Sequence, residues 1–365
     1  MLINIQFLRF AAAMMVVIYH VAMQWNPETL ENHGFLALGA ATGFAGVDVF
    51  FVISGFIMAY TTGETAGYQP GSVFTRKRFA RIYSGHWPFF VLSLLVFAWT
   101  RGEHVSNSDL LASFFLWPQP LNQILLQVTW TLSFELYFYL LFALMIWLVP
   151  AHRRMALCAL LTGALLLAAL VRHFSFGSFD PERLFLMPFW EHFLVSPFVS
   201  EFFAGAVTAY WLQRRRSGWS TAWLAAGLTL FLISGLINEA LFDGNIEQGF
   251  FVVPRVLLFG TASVMIITGL VRLEFMGRLA PRKFSILCGG ASYAIYLCHI
   301  LIISIAARLG LFSSISGWSF GVATLAYLSL MALILAYAVG HYKILEQPLH
   351  RAFRNWTGVG PREKD

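Results

Sequence analysis

Ten runs of predominantly apolar residues follow one another along the chain, and most of the charged residues lie between them. A helix needs about 20 such residues to cross the hydrocarbon core of a bilayer. The chain is 58% hydrophobic and only 12% charged, whereas a typical soluble domain is about 25% charged. The sequence therefore predicts an all-α polytopic membrane protein with about ten transmembrane helices. The predicted spans are residues 5–24, 42–60, 86–100, 128–149, 154–172, 194–212, 220–238, 251–271, 286–308 and 318–342.

The basic residues fall almost entirely on one side of these predicted helices. Segments that follow the even-numbered runs hold 18 of the 24 Lys and Arg residues, whereas residues 25–41 and 239–250 hold none. Loops rich in Lys and Arg stay in the cytoplasm. The pattern predicts that both termini are cytoplasmic, and it attributes the net charge of +6 to topology rather than to a nucleic-acid partner. The acidic residues of the two opposite loops are Glu28, Glu31, Glu239, Asp243 and Glu247.

The sequence predicts one membrane domain over residues 1–345 and a cytoplasmic tail over residues 346–365. The longest loops are predicted at residues 61–85, 101–127 and 173–193. The segment LLASFFLWPQPL in the second of these loops is apolar but too short to span, so we expect it to be re-entrant or interfacial.

Arg9 and His20 both lie in the first apolar run, where ionisable side chains are costly. Their spacing places them roughly 16 Å apart along a helix and within about 20° of one face. With the predicted topology, Arg9 lies near the cytoplasmic end and His20 in the outer part of the span. Two interpretations stay open for each residue. Arg9 either extends to lipid phosphates or belongs to a site, and His20 is either an interfacial histidine or a general base.

Three carboxylates are predicted at the same depth as His20. Asp48, Glu135 and Glu201 each lie in the outer part of a run that enters the membrane from outside. Each alone is also compatible with a structural ion pair, and Asp48 with the favourable dipole at a helix N-terminus. Together with His20 they suggest a site in which a carboxylate orients an imidazole base.

The segment FTRKRFARIY places Arg76, Lys77, Arg78 and Arg81 on the predicted cytoplasmic side. Arg78 and Arg81 have the i, i+3 spacing that puts two side chains on one helical face. Paired guanidinium groups suit bidentate binding of phosphate, and ordinary positive-inside charge explains the cluster equally well.

Two further ionisable residues lie near the C-terminal end. His299, in SYAIYLCHI, is predicted near the middle of the membrane, where core hydrogen bonding and chemistry are equally compatible with it. Glu346, in EQPLHR, is more simply interpreted as a salt-bridged residue at a helix stop. The sequence has no cluster with the spacing of metal ligands, so we expect no metal.

In order and spacing, these motifs resemble the acyltransferase-3 family of integral membrane O-acyltransferases, specifically its stand-alone exopolysaccharide acetyltransferase type. Each motif is loose, but their order along ten spans is specific, and the resemblance covers nearly the whole chain. The motifs are the pair Arg9-x10-His20, GVDVFFVISGF, the pair Arg78-x-x-Arg81, WTLSFELYFYL, SYAIYLCH and EQPL.

The resemblance implies transfer of an acyl group, usually acetyl, from cytoplasmic acetyl-CoA to a hydroxyl of an exopolysaccharide or other envelope glycan. The acceptor would be a glycan or a lipid-linked saccharide, and the protein would lie in the bacterial inner membrane among its lipids. The same resemblance makes His20 the catalytic base, Arg9 its companion on the same helix, and Arg78 and Arg81 contacts to the CoA phosphates.

The resemblance also assigns residues in two shorter motifs. Ser54 belongs to the SGF element, where it either lines the acyl path or lets helices approach closely. The usual RIxPxYW pattern is RIYSGHW here, with Ser84 for the proline and His86 for the tyrosine. His86 thereby becomes a further candidate contact to the CoA phosphates, together with Arg76 and Lys77.

A thioester donor is already activated, so the enzyme must deprotonate the acceptor hydroxyl and stabilise the developing oxyanion. We expect His20, oriented by Asp48 or Glu135, to accept that proton. A covalent acyl intermediate on His20 or Ser54 is an open alternative. For the whole protein, the alternatives are a proton-coupled transporter or flippase that uses the buried charges as a relay, and a structural subunit of polysaccharide export.

Overall fold

The computed structural model describes residues 1–24, 34–62, 71–176, 193–194, 196–242, 253–315, 318 and 320–356. Within these ranges the chain folds into helices and turns and contains no β-strand. Glu28, Glu31, Asp243 and Glu247 lie outside the described residues. In chain order the helices are α1 (Ile3–Ala22), α2 (Gly34–Thr42), α3 (Gly46–Thr62), α4 (Gly71–Thr100), α5 (Gly102–Asn107), α6 (Leu110–Phe115), α7 (Trp130–Leu148), α8 (Ala151–Phe176), α9 (Phe198–Arg214), α10 (Ser220–Phe242), α11 (Val253–Phe275), α12 (Arg282–Gly290), α13 (Ser292–Arg308), α14 (Leu311–Ile315), α15 (Phe320–His341) and α16 (Gln347–Trp356).

Every predicted apolar run falls largely on a helix. Among the described residues, 8 helical stretches are long and apolar enough to cross a membrane, and the bent pair α12–α13 brings the number to 9. That pair turns by 55° between Gly290 and Ser292. The remaining run corresponds to α9, which has 17 residues. The fold is therefore the predicted all-α, multi-pass membrane fold.

Helix α4 is twice as long as the run predicted from hydropathy. It begins at Gly71 and has 30 residues, which gives a length of about 45 Å. The predicted loop over residues 61–85 is wrong from Gly71 onward. Residues 75–81 are too polar for a transmembrane window, but Arg and Lys are good helix formers, so the helix continues through them.

The segment after α4 folds back beside that helix. The Tyr83 hydroxyl donates to the Phe115 carbonyl at 2.8 Å, and the Trp87 indole N–H donates to the Phe114 carbonyl at 3.2 Å. Trp87 is 13 residues from the end of α4 at Thr100, so α6 returns about 20 Å along it. The apolar segment expected to be re-entrant or interfacial thus lies against the middle of α4.

The start of α1 is fixed by a carboxylate from the end of α11. The backbone N–H groups of Ile3 and Asn4 donate to the two oxygens of Glu274 at 2.7 and 2.8 Å. An acidic group at this position satisfies orphan N–H donors and is favoured by the helix dipole. Glu274 therefore sets the position of α1, which carries both Arg9 and His20.

Helices α3 and α9 cross in backbone contact. A methyl group added to Gly55 would lie 1.7 Å from the carbonyl oxygen of Phe202, and one added to Gly205 would lie 2.0 Å from that of Val52. Only glycine fits at both positions. Close approach at SGF is thus achieved by Gly55, which leaves the neighbouring Ser54 to point elsewhere.

Part of the predicted tail, Gln347–Trp356, forms α16 and packs against α4. The ring centroids of Phe353 and Trp87 are 5.5 Å apart, and His350 Nδ1 lies 3.4 Å from the Ser84 hydroxyl. A π-helical turn over Tyr342–Glu346 joins α15 to α16. This turn brings Glu346 into the bundle, where its side chain is fully buried.

Candidate active site

A cavity of about 130 Å³ lies between α1, α3, α4, α7 and α13. Its apolar wall comes mainly from α3, and its polar groups come from all five helices. Three of the polar residues are arginines that the sequence singled out. The polar lining residues are Arg9, Ser54, Arg78, Arg81, Thr131, Glu135, Tyr139, Ser292, Tyr293 and Tyr296.

Arg81 forms an ion pair with Glu346, which lies directly before α16. Its Nη1 donates to Glu346 Oε1 at 2.7 Å, and its guanidinium lies 5.6 Å from the centre of the Tyr293 ring. Glu346 is fully buried, so the π-helical turn before α16 holds a carboxylate against Arg81, which lines the cavity. The salt bridge expected for Glu346 is present, and its partner is one of the two arginines predicted to bind phosphate.

Arg78 is held by aromatic rings. Its guanidinium lies 5.4 Å from the centre of the Phe74 ring and 5.7 Å from that of Tyr139, distances at which cation–π attraction is favourable. The Nε of Arg78 is buried and has no hydrogen-bond acceptor among the described residues. A buried donor of this kind normally has a partner, so Arg78 can donate a hydrogen bond to an anionic or carbonyl ligand.

Glu135 is fixed by two hydroxyl groups. Ser54 donates to Glu135 Oε1 at 3.2 Å, and Tyr139 donates to the same oxygen. The carboxylate faces the cavity that Arg9 also lines. Ser54 therefore lines the cavity, and its place on an acyl path stays a prediction.

The charges around the cavity do not balance. Three guanidinium groups and the Glu135 carboxylate line the cavity, and the Glu346 carboxylate is paired with one of those guanidinium groups, which leaves one formal positive charge in excess among these five side chains. Buried positive charge in a membrane protein is retained for a partner. The arrangement can hold the anionic or carbonyl part of a ligand, with its apolar part against α3.

His20 lies outside this cavity and is paired with a second histidine. His20 Nδ1 is 3.2 Å from Nε2 of His299 on α13 and 2.9 Å from the Val16 carbonyl oxygen. His299 is fully buried, and its Nδ1 is 3.3 Å from the Ile295 carbonyl oxygen. The planes of the two rings are inclined by 52°, with centroids 4.9 Å apart.

Tyr296 connects the histidine pair to the cavity. It lines the cavity, and its ring centroid is 5.9 Å from that of His299. Its hydroxyl donates a hydrogen bond to the Val128 carbonyl and accepts one from the Thr131 hydroxyl, both at 3.0 Å. Arg9 and His20 thus share a helix face as predicted, and the rings of α13 lie between their two sites.

Asp48 belongs to a third group of charges. Arg255 donates to both Asp48 oxygens at 2.7 to 2.9 Å, and its guanidinium stacks over Phe44 and Phe198 at 5.0 and 5.1 Å. Glu201 lies beside this pair within electrostatic range. Arg255 is not among the residues predicted for the site, although an arginine near the start of an apolar run is a visible signal.

The expectation that Asp48 or Glu135 orients His20 is corrected by these contacts. Asp48 is paired with Arg255, Glu135 accepts hydrogen bonds from two hydroxyl groups, and the side chain that contacts the His20 ring is His299. Helical periodicity gave the face of each residue but not the helix opposite it. The segment before α7 folds back, so that α7 begins beside the cavity. Glu135 therefore lines the same cavity as Arg9.

Three residues predicted to contact CoA do not line the cavity. His86 is buried, and its Nε2 lies 3.0 Å from the Ser113 carbonyl oxygen, so it secures α6 to α4. Arg76 is exposed and donates to the Ser72 carbonyl one turn back. Lys77 is partly exposed on the same turn. The side chains of Arg78 and Arg81 are the ones that reach inward.

Comparisons with known proteins agree with this architecture. The family profile described as acyltransferase domain matches residues 2–341. The chain is 30% identical over 340 residues to the exopolysaccharide production protein ExoZ of Rhizobium meliloti (strain 1021), covering 86% of this chain and 91% of that protein. It is 25% identical over 380 residues to the acyltransferase MdmB of Streptomyces mycarofaciens, covering 94% and 90%. No solved structure matches. The chain belongs to the acyltransferase-3 family of membrane proteins.

Proposed function

We propose that this protein is an O-acyltransferase of the bacterial inner membrane. It moves an acyl group, acetyl in the simplest case, from cytoplasmic acyl-CoA to a sugar hydroxyl of an exopolysaccharide or other envelope glycan. The observation that carries the proposal is the arginine-lined cavity with an excess positive charge, next to a histidine pair. Its relatives' names, an exopolysaccharide production protein and an acyltransferase, support the reaction class.

The cavity suits the reactive end of the donor rather than the whole of it. Its volume of about 130 Å³ is close to that of engineered cavities that bind benzene, so an acyl thioester fits and a nucleotide does not. In the proposal, Arg78 and Arg81 bind the phosphate-bearing part at the cytoplasmic mouth. The positive-inside pattern supports this side for α4. The thioester then extends along α3 toward Tyr296.

The histidine pair supplies the base. In the proposed step, His20 takes the proton from the sugar hydroxyl as the oxygen attacks the thioester carbonyl. The C–O bond forms, the C–S bond breaks, and the proton on His20 passes to the departing thiolate. One ester and one free thiol result. Tyr296 lies between cavity and base, so its ring must shift when the thioester reaches the acceptor.

The test is acetyl transfer by the purified protein from radiolabelled acetyl-CoA to envelope glycan. We expect His20→Ala to lower kcat by about 10² to 10⁴-fold, the usual contribution of a general base. His152→Ala, which changes an exposed histidine at the start of α8, serves as the matched control and should transfer normally. Full transfer by His20→Ala would overturn the base. A wild-type protein that transfers no label, as expected of a transporter, would overturn the function.

A further inference from the structure

The contacts of the histidine pair determine which nitrogen of each ring carries the proton. A carbonyl oxygen only accepts hydrogen bonds, so a ring nitrogen within reach of one must be the donor. His20 Nδ1 faces the Val16 carbonyl at 2.9 Å and His299 Nδ1 faces the Ile295 carbonyl at 3.3 Å. Both Nδ1 atoms therefore carry the proton when the rings are neutral.

This assignment fixes the direction of the contact between the rings. Neutral His299 with its proton on Nδ1 has a lone pair on Nε2, and that atom lies 3.2 Å from His20 Nδ1. The His20 Nδ1–H is then shared between the Val16 carbonyl and the His299 lone pair. The remaining lone pair of His20 is on Nε2. A single set of neutral tautomers satisfies all three contacts.

We propose that His299 is a positioning residue that, together with the Val16 carbonyl, holds His20 in the tautomer whose basic nitrogen is Nε2, and that it accepts a hydrogen bond from the imidazolium formed during transfer. The inference rests on the proposed function, in which His20 is the base. His299 would take the role that a carboxylate plays in a serine–histidine–aspartate triad. It does so as a neutral acceptor from another helix, so no charge is added to the buried pair.

The packing around the pair is consistent with a fixed ring. His299 is fully buried, and the Tyr296 ring lies beside it. The Tyr19 ring meets His20 edge to face, with centroids 5.0 Å apart. Two backbone carbonyls and two tyrosine rings thus hold the rings in place, and the inter-ring hydrogen bond is the contact that selects the tautomer from outside α1.

A kinetic test compares an acceptor-retaining variant with an isosteric apolar variant. The amide oxygen of glutamine can occupy the place of Nε2, so His299→Gln should keep kcat within a few-fold. His299→Leu removes the acceptor, and we expect kcat to fall about 10- to 100-fold, less than for His20→Ala. The KM for acetyl-CoA should not change, because His299 does not line the cavity.

A spectroscopic test does not depend on activity. In ¹⁵N-histidine-labelled protein in lipid bilayers at neutral pH, His20 should show a protonated Nδ1 and an unprotonated Nε2. The His20 signals are identified by their loss in His20→Ala. In His299→Leu, a second population with the proton on Nε2 should appear.

The outcomes separate this inference from the function on which it rests. If His20→Ala transfers label normally, the proposed base is overturned, and the positioning role with it. If His20→Ala is inactive and folded His299→Leu has wild-type kcat, the positioning role alone is overturned. Equal losses of kcat in His299→Gln and His299→Leu, or a protonated Nε2 on His20 in the wild type, would also contradict it.

Discussion

Two of the places where the described part of the bundle buries charged side chains, between α3 and α11 and around the cavity, neutralise their cations differently. Between α3 and α11, Arg255 meets Asp48 in a bidentate pair whose side chains are only 5% and 0% exposed. Around the cavity, Arg81 remains 26% exposed although its partner Glu346 is fully buried. The Asp48–Arg255 pair is enclosed by protein, whereas Arg81 lines a cavity.

The difference shows that burial of charge alone does not identify a site in this fold. Intramembrane ionisable groups are functional candidates by default, but a bidentate pair with stacked aromatic rings has used its donors within the protein. Asp48 and Arg255 thereby join α3 to α11, whereas Arg9, Arg78 and Arg81 leave charge for a ligand. Excess charge next to a cavity is the feature that distinguishes the candidate site.

The strongest test of this comparison is to break the closed pair. In Arg255→Met, a carboxylate stays buried without its partner, and removing one member of a buried pair costs about 3–5 kcal/mol. We expect the free energy of unfolding, measured in mixed detergent micelles, to fall by that amount. Arg215→Met, at an exposed arginine after α9, should change it by less than about 0.5 kcal/mol.

A double variant distinguishes a structural pair from a functional one. Asp48→Leu combined with Arg255→Met removes both members of the ion pair and leaves Glu201 as their ionisable neighbour. Apolar replacement of a buried pair is often neutral or stabilising. We expect most of the lost stability to return, and acetyl transfer with it. A stable double variant without transfer would mean that this pair takes part in the reaction and not only in stability.

The open place is tested by matched single substitutions on one turn of α4. Arg78→Gln removes a charge that faces the cavity, whereas Arg76→Gln removes one from the exposed side. Hydrogen bonds to charged groups contribute about 1.5–3 kcal/mol, so the Kd for CoA should rise at least about tenfold in Arg78→Gln. The Kd of Arg76→Gln should change less than about threefold, because exposed charges are screened.

Arg81 is left intact in this comparison, because its removal would leave Glu346 buried and unpaired. Binding should be measured by titration calorimetry in the same detergent for all three proteins. Equal weakening in Arg76→Gln and Arg78→Gln would mean that general positive charge, rather than the cavity, binds the donor.

Sequence analysis predicted what depends on spacing within one segment. Run length gave the helices, and the 11-residue interval gave the shared face of Arg9 and His20. Helix α4 was predicted too short, because hydropathy stops at the polar turn that carries Arg78. The helix-forming tendency of that turn was a usable signal.

Contacts between distant segments could not be predicted in this way. His299 lies 279 residues from His20 and Glu346 lies 265 residues from Arg81, and no periodicity within one helix reports such a pairing. The prediction that a carboxylate is the partner of His20 is wrong for this reason. The family resemblance indicated candidate site residues, whereas their grouping into three separate clusters required the packing of the helices.

The smallest expected effect concerns Ser54, where the two catalytic routes differ most. If Ser54 only donates to Glu135, at 3.2 Å, its loss leaves the Tyr139 hydrogen bond in place. Ser54→Ala should then lower kcat less than about tenfold, because one hydrogen bond contributes about 0.5–1.5 kcal/mol. If Ser54 carries a covalent acyl group, transfer should be abolished, and acetylated Ser54 should be detectable by mass spectrometry in the wild type.

Ser93→Ala controls for loss of a buried hydroxyl elsewhere on the bundle, because Ser93 donates to the Phe89 carbonyl within α4. A small loss in Ser54→Ala favours direct transfer, since the cavity then positions the thioester and the histidine pair alone handles the proton.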